Sequence, residues 1–432
     1  MNIAVVGTGY VGLVTGTCFA EFGVNVSCVD VDTAKISQLR EGKVPIFEPG
    51  LEEMVRRNLA EKRLSFTTDL DAAVKASQVI FIAVGTPQGE DGAADLSFVR
   101  QVARGIARSM KDYKVVVTKS TVPMGTGAMI RKLIREEQAT PVEFSVASNP
   151  EFLREGSAIE DFMRPNRVVI GADDPPAIEI LKELYNPLYL IEAPFLITTV
   201  ISAEMIKYAS NAFLATKISF INDIAHLCEK VGADVHDVAK GMGLDHRIGR
   251  LFLHPGPGYG GSCFPKDTLA ILKVARENGV DLRVIRSAVE VNDDQVERMV
   301  RKIEQGLGAL KGKKIGVLGL SFKPNTSDIR ESPAMRIITA LLDLGASVRA
   351  YDPVAMPEAR TLLGSVEMGS DAYDTATGCD ALVLATEWNQ FRNLDLPRLK
   401  ELMRSPVLID LRNVYEPGDM ARLGFRYAAV GR

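Results

Sequence analysis

The first thirty residues contain the pattern that most constrains the fold. An apolar run at residues 3–6 leads into the turn Gly7-Thr8-Gly9-Tyr10-Val11-Gly12, which is followed by an apolar stretch with helical character at about residues 13–22. A second apolar run, at residues 24–29, ends in Asp30. Runs without a polar side are typical of parallel strands covered on both faces, and GxGxxG between strand and helix is typical of a dinucleotide-binding unit. The pattern therefore predicts an α/β fold that begins with a Rossmann domain.

Each glycine of this turn has its own role in that interpretation. Gly7 permits the tight turn, Gly9 lets the backbone approach a pyrophosphate, and Gly12 allows the helix to pack closely on the strand. Asp30 would accept hydrogen bonds from the ribose hydroxyls, and a 2′-phosphate would meet its carboxylate as a like charge. NAD is therefore favoured over NADP. The alternative is a glycine-rich turn in an unrelated α/β fold.

The strand and helix signals alternate along the next hundred residues, which predicts a doubly wound sheet with ligands at the strand ends. Further strands are expected at residues 79–84, 114–118 and 144–147. Residues 202–231 contain no Gly or Pro, so we expect a helix of about 30 residues, roughly 45 Å long, that bridges domains and could build a dimer. A loop at residues 256–261 precedes a second helical stretch at about residues 267–306.

The opening pattern returns late in the chain. Residues 314–320 resemble residues 2–8, and a run at 347–351 ends in Asp352 as the earlier one ends in Asp30. Phe322 and Pro324 replace the glycines of the turn, so this domain should bind something other than an NAD pyrophosphate. We therefore predict two Rossmann-like doubly wound domains joined by a long central helix. The expected segments are residues 1–200, 201–305 and 306–432.

Composition limits the function classes. The chain has 432 residues and a net charge of −4, so no global basic field attracts nucleic acid. We expect no membrane span, because no apolar stretch approaches about 20 residues. The five cysteines show no paired spacing and there are only four histidines, which predicts free thiols in a reducing cytoplasm and no metal site.

Cys263 is the candidate nucleophile. It follows Gly260-Gly261-Ser262 and precedes Lys266 and Asp267. A cysteine at a helix start near a lysine is expected to have a lowered pKa and to be a better nucleophile. The alternative is an inert core cysteine, which is the class expected for Cys18, Cys28, Cys228 and Cys379.

Two further sets of polar residues have helical spacing. Glu204, Lys207 and Asn211 would share one face of the long helix, where Lys207 either reaches solvent or binds a developing oxyanion. Glu151 and Glu155 follow a predicted strand, and one of them could be a general base. Surface charge at a helix start is the alternative for the glutamates.

The motifs together resemble the UDP-glucose/GDP-mannose dehydrogenase family. The resemblance covers nearly the whole chain and is marked by GTGYVGL at 7–13, FEPGL at 47–51, VGTP at 84–87, KSTVP at 119–123, NPEFLREG at 149–156, PGPGYGGSCFPKD at 255–267 and GLSFKPNTSDIRESP at 319–333. It implies two NAD-dependent oxidations that convert the C6 alcohol of UDP-glucose into the carboxylate of UDP-glucuronate. Cys263 would form first a thiohemiacetal and then a thioester.

The resemblance also implies roles for individual residues. Lys207 and Asn211 would stabilise negative charge on the substrate oxygen, and Asp267 would orient Lys207 or a water. Glu151 would be the base for thioester hydrolysis, with Thr121 positioning the water. The implied NAD-binding residues are Gly7, Gly9, Tyr10, Val11, Gly12, Asp30, Lys35, Thr86, Thr121, Glu155, Lys266 and Arg330. The implied substrate-binding residues are Glu151, Phe152, Leu153, Lys207, Asn211, Arg247, Phe252, Gly260, Lys323 and Arg412.

Arg247 would reach the substrate of a neighbouring subunit, which implies a homodimer through the central helix. Residues 247–253 and Ser262 favour UDP-glucose within the family, with GDP-mannose as the second choice. A 3-hydroxy-acid dehydrogenase would share the first domain and the long helix but would leave Cys263 and the last domain unexplained. An NAD-sensing scaffold would bind the cofactor without turnover.

Overall fold

The computed structural model describes residues 1–89 and 92–432. These residues form two compact units, one of residues 1–210 and 269–280 and the other of residues 211–268 and 281–432. The three segments expected from the sequence, 1–200, 201–305 and 306–432, remain a prediction. Within the described part of the chain, no helix is both long and apolar enough to cross a membrane.

The first unit contains an eight-stranded sheet, counted over the described residues, in the order β3-β2-β1-β4-β5-β6-β7-β8. Its strands are β1 (Asn2–Val6), β2 (Asn25–Val29), β3 (Leu64–Thr67), β4 (Val79–Ile82), β5 (Lys114–Thr118), β6 (Phe144–Ser148), β7 (Val168–Ala172) and β8 (Phe195–Thr198). The β6–β7 pair is antiparallel and the other pairs are parallel. The carboxyl ends of β1, β4, β5 and β6 therefore lie along one edge of the sheet.

Helices cover both faces of this sheet. They are α1 (Tyr10–Glu21), α2 (Thr33–Arg40), α3 (Leu51–Ala60), α4 (Leu70–Ala76), α5 (Ser97–Ser109), α6 (Thr126–Glu137), α7 (Ala158–Met163) and α8 (Pro175–Leu184), with a 3₁₀ helix at Asn186–Ile191. Val5 packs with Leu13 of α1 in one core, whereas Ala4 packs with Ile106 of α5 in another. Alternate residues of one strand thus enter different cores, so the strand is apolar on both sides.

The long helix α9 (Val200–Val231) links the domains, as the sequence predicted. It is followed by α10 (Val235–Gly243), α11 (Phe264–Glu277) and α12 (Arg283–Leu307). The prediction of a single helical stretch at residues 267–306 is wrong, because the helix is interrupted between α11 and α12. Gly279 has φ +71°, and the amide of Val280 donates to the carbonyl of Ala275 at 2.8 Å. These contacts form a Schellman motif that ends the helix.

The second unit contains a six-stranded parallel sheet, counted over the described residues, in the order β11-β10-β9-β12-β13-β14. Its strands are β9 (Lys314–Leu318), β10 (Ser347–Tyr351), β11 (Glu367–Met368), β12 (Ala381–Leu384), β13 (Val407–Asp410) and β14 (Arg426–Ala429). Its helices are α13 (Pro333–Asp343), α14 (Met356–Leu362), α15 (Ala372–Ala376), α16 (Asn389–Arg392), α17 (Leu396–Leu402) and α18 (Pro417–Arg422).

The two sheets repeat one design. The second sheet and the first six strands of the first sheet have the same order, which is that of a Rossmann fold. Gly7 has φ +103° and donates its amide to Val29 O at 2.7 Å, while Gly319 has φ +96° and donates to Tyr351 O at 2.8 Å. The prediction of two Rossmann-like domains joined by a long helix is confirmed.

Candidate active site

The glycine turn after β1 leaves one open approach to the backbone. A Cβ added at Gly7 would lie 2.6 Å from Ala83 O, and one at Gly12 would lie 1.9 Å from Gly7 O. A Cβ added at Gly9 would meet no heavy atom of the described residues within 4 Å. Gly7 and Gly12 therefore serve the turn and the packing, whereas Gly9 leaves space in front of the chain.

This space suits the pyrophosphate of NAD. Within the described residues no side chain caps the N-terminus of α1, so its first N–H groups, which include those of Tyr10 and Val11, are available to an anion. Asp30, at the end of β2, accepts from the amide of Thr8 at 2.9 Å and lies 3.5 Å from the ammonium of Lys35. Burial opposes its ionisation, but the Thr8 hydrogen bonds and Lys35 hold the pKa of Asp30 below its ordinary value. An ionised carboxylate here fits ribose hydroxyls as donors.

Glu48 forms hydrogen bonds both with Tyr10 of the glycine turn and with the segment that follows Glu155. Its buried carboxylate accepts from the amides of Gly156 at 2.6 Å and Ala158 at 2.7 Å, and from the hydroxyl of Tyr10. The surrounding FEPGL motif at residues 47–51 is visible in the sequence, but it predicted no role for Glu48. An acidic residue inside this motif was the feature of the sequence that could have indicated a role for Glu48.

The turns after β4 and β5 bring Thr86 and Thr121 together. The hydroxyl of Thr86 donates to the carbonyl of Thr121 at 2.9 Å, and the hydroxyl of Ser120 donates to Val84 O at 2.6 Å. Both threonines thus lie at the carboxyl edge of the sheet, where ligands of doubly wound folds bind.

Glu151 and Lys207 form a buried ion pair. Their charged atoms are 2.8 Å apart, and each side chain is 4% exposed. The ammonium of Lys207 lies 5.5 Å from the ring centre of Phe152, and the amide of Leu153 donates to Glu151 at 2.6 Å. Burial alone would raise the pKa of Glu151, but Lys207 and the Leu153 amide outweigh it and hold that pKa below its ordinary value. The structure thus brings together four residues that the sequence proposed for substrate and catalysis.

Lys119 is a buried lysine for which the sequence predicted no role. Its ammonium donates to Asn149 Oδ1 at 3.0 Å and Tyr185 Oη at 3.2 Å, and it lies 5.9 Å from the ring centre of Phe162. Burial lowers the pKa of Lys119 to about 7, and nearby Glu151 opposes that shift. Its position in the KSTVP motif was visible in the sequence, but its neutral partners come from distant segments.

Glu204 has a different place from the one its helical spacing suggested. Its carboxylate accepts from the amide of Gly125 at 2.7 Å and from that of Gly127 at 2.8 Å. Burial raises the pKa of Glu204 to about 7, against the effect of these amides. The side chain therefore caps the N-terminus of α6.

Cys263 directly precedes α11. Its carbonyl accepts from the amide of Asp267 at 2.9 Å, and its thiol lies 3.6 Å from the hydroxyl of Ser262. Cys263 is partly exposed, whereas the four other cysteines are buried, as predicted for them. The thiol therefore stands at a helix N-terminus, where the N–H groups favour a thiolate.

Asp267 joins two other candidates in the same unit. The amide of Asn211 donates to one carboxylate oxygen at 2.7 Å, and the ammonium of Lys266 lies 2.5 Å from the other. Asp267 and Asn211 are both buried. Asp267 is thus placed to orient Asn211 and Lys266.

Three of the remaining substrate candidates, Arg412, Lys323 and Phe252, contact or lie near phenylalanine residues. Arg412 donates to Phe322 O at 3.0 Å, and the ammonium of Lys323 lies 5.2 Å from the ring centre of Phe322. Phe252, with φ +65°, has its ring 6.2 Å from that of Phe264.

Two of the predicted arginines bind acids of their own segments. Arg247 is exposed and pairs with Asp245 at 2.5 Å, and Arg330 pairs with Asp328 at 2.7 Å. Gly260 lies against the carbonyl of Glu331, which an added Cβ would approach to 2.1 Å. Among the described residues, no group of three or more His, Cys, Asp or Glu side chains is arranged to hold a metal ion.

Family models match most of the chain. The NAD binding domain of the UDP-glucose/GDP-mannose dehydrogenase family matches residues 1–189, the central domain residues 201–294 and the UDP binding domain residues 316–417. The chain belongs to this family.

Similar proteins support this membership over the whole length. A UDP-glucose 6-dehydrogenase of Rhizobium meliloti is 55% identical and another of Bacillus subtilis is 50% identical, each over 100% of this chain and over 100% and 93% of the relatives. The structure of a UDP-glucose dehydrogenase from Pyrobaculum islandicum has 42% identity and a TM-score of 0.92, covering 99% of this chain and 96% of that one. As a member of the family the chain is an NAD-dependent oxidoreductase, which decides against the scaffold, and its match to the UDP binding domain at residues 316–417 decides against the 3-hydroxy-acid dehydrogenase.

Proposed function

We propose that this chain is a UDP-glucose 6-dehydrogenase, which oxidises UDP-glucose to UDP-glucuronate with two molecules of NAD. The observation that carries the proposal is the position of Cys263, a partly exposed thiol at the start of α11 beside the Asn211–Asp267–Lys266 network. UDP-glucose is chosen as the substrate because two similar proteins, matched over the full length of this chain, are UDP-glucose 6-dehydrogenases.

In the first oxidation the C6 alcohol becomes an aldehyde, as a hydride leaves C6 and the hydroxyl proton passes to a bound water. NAD, when bound, accepts the hydride in each oxidation, and Gly7–Gly12, Asp30, Lys35, Thr86, Glu155, Lys266 and Arg330 are the residues proposed to hold it. Lys207 opposes negative charge on the substrate oxygen, and Asn211 helps to hold that oxygen. The buried carboxylate of Glu151 lies 2.8 Å from the ammonium of Lys207 and so holds it in position before substrate binds.

The second oxidation uses the thiol. The Cys263 thiolate adds to the aldehyde carbon, and loss of the second hydride leaves a thioester on its sulfur. Glu151 then takes a proton from a water positioned by Thr121, and the attack of that water breaks the carbon–sulfur bond. The acid leaves as UDP-glucuronate and the thiolate returns. The depressed pKa of Glu151 keeps it ionised, as a base must be.

The second Rossmann-like domain is proposed to bind the uridine diphosphate. Lys323 and Arg412 supply positive charge for its phosphates, and Phe252 and Gly260 shape the adjacent loop. Phe152 and Leu153 are proposed to contact the sugar. Arg247, exposed on this chain, is proposed to reach the substrate of a neighbouring subunit.

A homodimer through α9 is the proposed assembly. Phe213, Phe220 and Leu227 lie seven residues apart on this helix and are 65%, 47% and 56% exposed. Side chains with that spacing form one stripe, as in helices that pack against each other. The five free thiols suit a reducing compartment, so we propose a cytoplasmic location.

The choice of substrate is tested by a comparison of two nucleotide sugars. NADH formation is measured with UDP-glucose and with GDP-mannose under the same conditions, and we expect kcat/KM to be about a hundredfold or more higher with UDP-glucose. Faster turnover of GDP-mannose would overturn the proposal while leaving the family membership intact.

A further inference from the structure

Three buried amide side chains hold the glycine loop that leads to Cys263. Asn222 lies on α9, while Asn292 and Gln295 lie one helical turn apart on α12. Each of the three is 6% exposed or less. All belong to the second unit, as does the loop at residues 256–261.

Each amide binds the main chain of the loop. Asn222 accepts from the amide of Gly256 at 2.8 Å, and Gln295 donates to the carbonyl of the same residue at 2.7 Å. Asn292 accepts from the amide of Tyr259 at 2.8 Å and donates to its carbonyl at 3.3 Å. The loop has no regular structure that would pair its backbone groups. Side chains therefore supply the hydrogen bonds for the backbone N–H and C=O groups of Gly256 and Tyr259.

The contacts of Asn292 require an amide, because this side chain both accepts from and donates to the backbone of Tyr259. A primary amide both donates and accepts, whereas a carboxylate only accepts and an alkyl group does neither. Gly258, with φ +111°, wraps so closely around Asn292 that an added Cβ would lie 2.8 Å from its Oδ1. The loop is thus built around the amide of Asn292.

Stability alone gives a weak reason for this arrangement. Within the described residues, Nδ2 of Asn222 and Oε1 of Gln295 are buried and have no hydrogen-bond partner. A buried polar atom left unbonded costs free energy. Both residues nevertheless direct their other amide atom at Gly256, which points to a role in fixing the loop.

The fixed loop leaves little freedom before the nucleophile. After Tyr259, Gly260 lies against Glu331 and the amide of Gly261 donates to Arg330 O at 2.9 Å. A Cβ added at Gly261 would lie 2.7 Å from the ring of Phe322. The chain then passes through Cys263 and enters α11 at Phe264.

We propose that Asn222, Asn292 and Gln295 are positioning residues for the Cys263 thiol. This proposal rests on the proposed function, in which that thiol must meet the aldehyde carbon of the substrate. The three amides act through the loop backbone. They need no contact with substrate or NAD.

The test compares Asn292→Ala with Gln305→Ala, a change to an exposed amide on the same helix. Gln295→Met, which keeps the side-chain length, serves if Asn292→Ala does not fold. We measure NADH formation from UDP-glucose together with the rate at which iodoacetamide alkylates Cys263 in the protein alone. Mass analysis of the peptide that contains Cys263 separates this thiol from the buried ones.

We expect Asn292→Ala to lower kcat by about tenfold to a hundredfold, with the KM for UDP-glucose within about threefold of that of the parent. The alkylation rate should change by about threefold or more, and Gln305→Ala should match the parent in both assays. A folded variant with unchanged alkylation and unchanged kcat would overturn the proposal. If the parent itself does not oxidise UDP-glucose, the proposed function fails, and the alkylation rates alone decide whether the amides position the thiol.

Discussion

The surroundings of Cys263 separate it from the other cysteines. Burial raises the pKa of Cys28 to about 12 and that of Cys379 to about 11, so these thiols stay protonated at neutral pH. Cys263 is partly exposed and directly precedes α11, whose first turn contains Lys266 and Asp267. At the scale of single residues, reactivity therefore follows from exposure and from the direction of nearby N–H groups.

Lys119 supports a prediction at the same scale. Burial lowers its pKa to about 7, below the ordinary value of 10.5, while Glu151 opposes and Lys207 adds to the shift. Between these two pH values the unfolded chain binds the proton and the folded chain does not, so Lys119 makes stability rise with pH across that window. Lys119→Met should remove this rise.

The measurement is urea unfolding at about pH 6.5 and about pH 9.5. Lys132→Met, at an exposed position on α6, is the matched control and should keep the pH dependence of the parent. If Lys119→Met and the parent gain the same stability between the two pH values, Lys119 is not a buried titrating group.

At the scale of elements, strand ends and helix starts bring the polar residues together. Thr86, Thr121 and Glu151 follow β4, β5 and β6, whose carboxyl ends lie at one edge of the sheet. The N-terminus of α6 differs from that of α1, because Glu204 occupies its amides. One helix start is thus left for a ligand and the other is closed by the protein itself.

The cap on α6 predicts a loss of stability. Glu204→Ala would leave the amides of Gly125 and Gly127 without their acceptor, so we expect the free energy of unfolding to fall by about 2 to 4 kcal/mol. Glu136→Ala, at an exposed position of the same helix, should change it by less than about 0.5 kcal/mol. Urea denaturation of both variants checks this, and equal effects would show that the cap contributes nothing specific.

Elements with a distinctive local sequence could be predicted well. The predicted bounds of β5 at 114–118 and β10 at 347–351 agree with the structure, because both runs are short and bounded by turns. The break after α11 was missed, since the Asn278-Gly279 pair alone does not reveal the carbonyls that complete a Schellman motif. β8 was also missed, although Phe195-Leu196-Ile197 is an apolar run in the sequence, and in the structure Leu196 and Ile197 are exposed.

The candidate site was predictable only in part. Motifs identified Cys263, Glu151 and Lys207, yet the spacing of Glu204 suggested a companion of Lys207 and gave no sign of the α6 cap. The partners of Lys119 and Asn292 lie 30 or more residues away along the chain. Such contacts depend on which segments the fold brings together, and residue type alone does not determine them.

At the scale of the whole molecule, one Rossmann design serves two purposes. Asp352 corresponds to Asp30 but is fully buried and accepts from the amides of Leu320 and Ser321 and from the indole of Trp388. Its carboxylate has become part of the turn, so the second domain lacks the exposed acid that would bind a ribose. The second domain therefore differs from the first at the position that corresponds to Asp30, and its inability to bind an NAD pyrophosphate stays a prediction.

The proposed homodimer gives a prediction at this scale. Phe220→Asp places a charge in the apolar stripe of α9 and should shift the protein from dimer to monomer at micromolar concentration. Leu362→Asp, at an exposed site on α14, is the control and should leave the assembly unchanged. Light scattering after gel filtration measures the mass. An unchanged dimer in the Phe220 variant would place the interface elsewhere.

The central claim is that one thiol links two oxidations of the same carbon. The most direct measurement is the total NADH released from limiting UDP-glucose with excess NAD, for the parent and for Cys263→Ala. The account predicts about two NADH per sugar for the parent, and a turnover reduced by about a thousandfold or more in the variant. A yield of one NADH per sugar from the parent, or full yield and rate from Cys263→Ala, would contradict it.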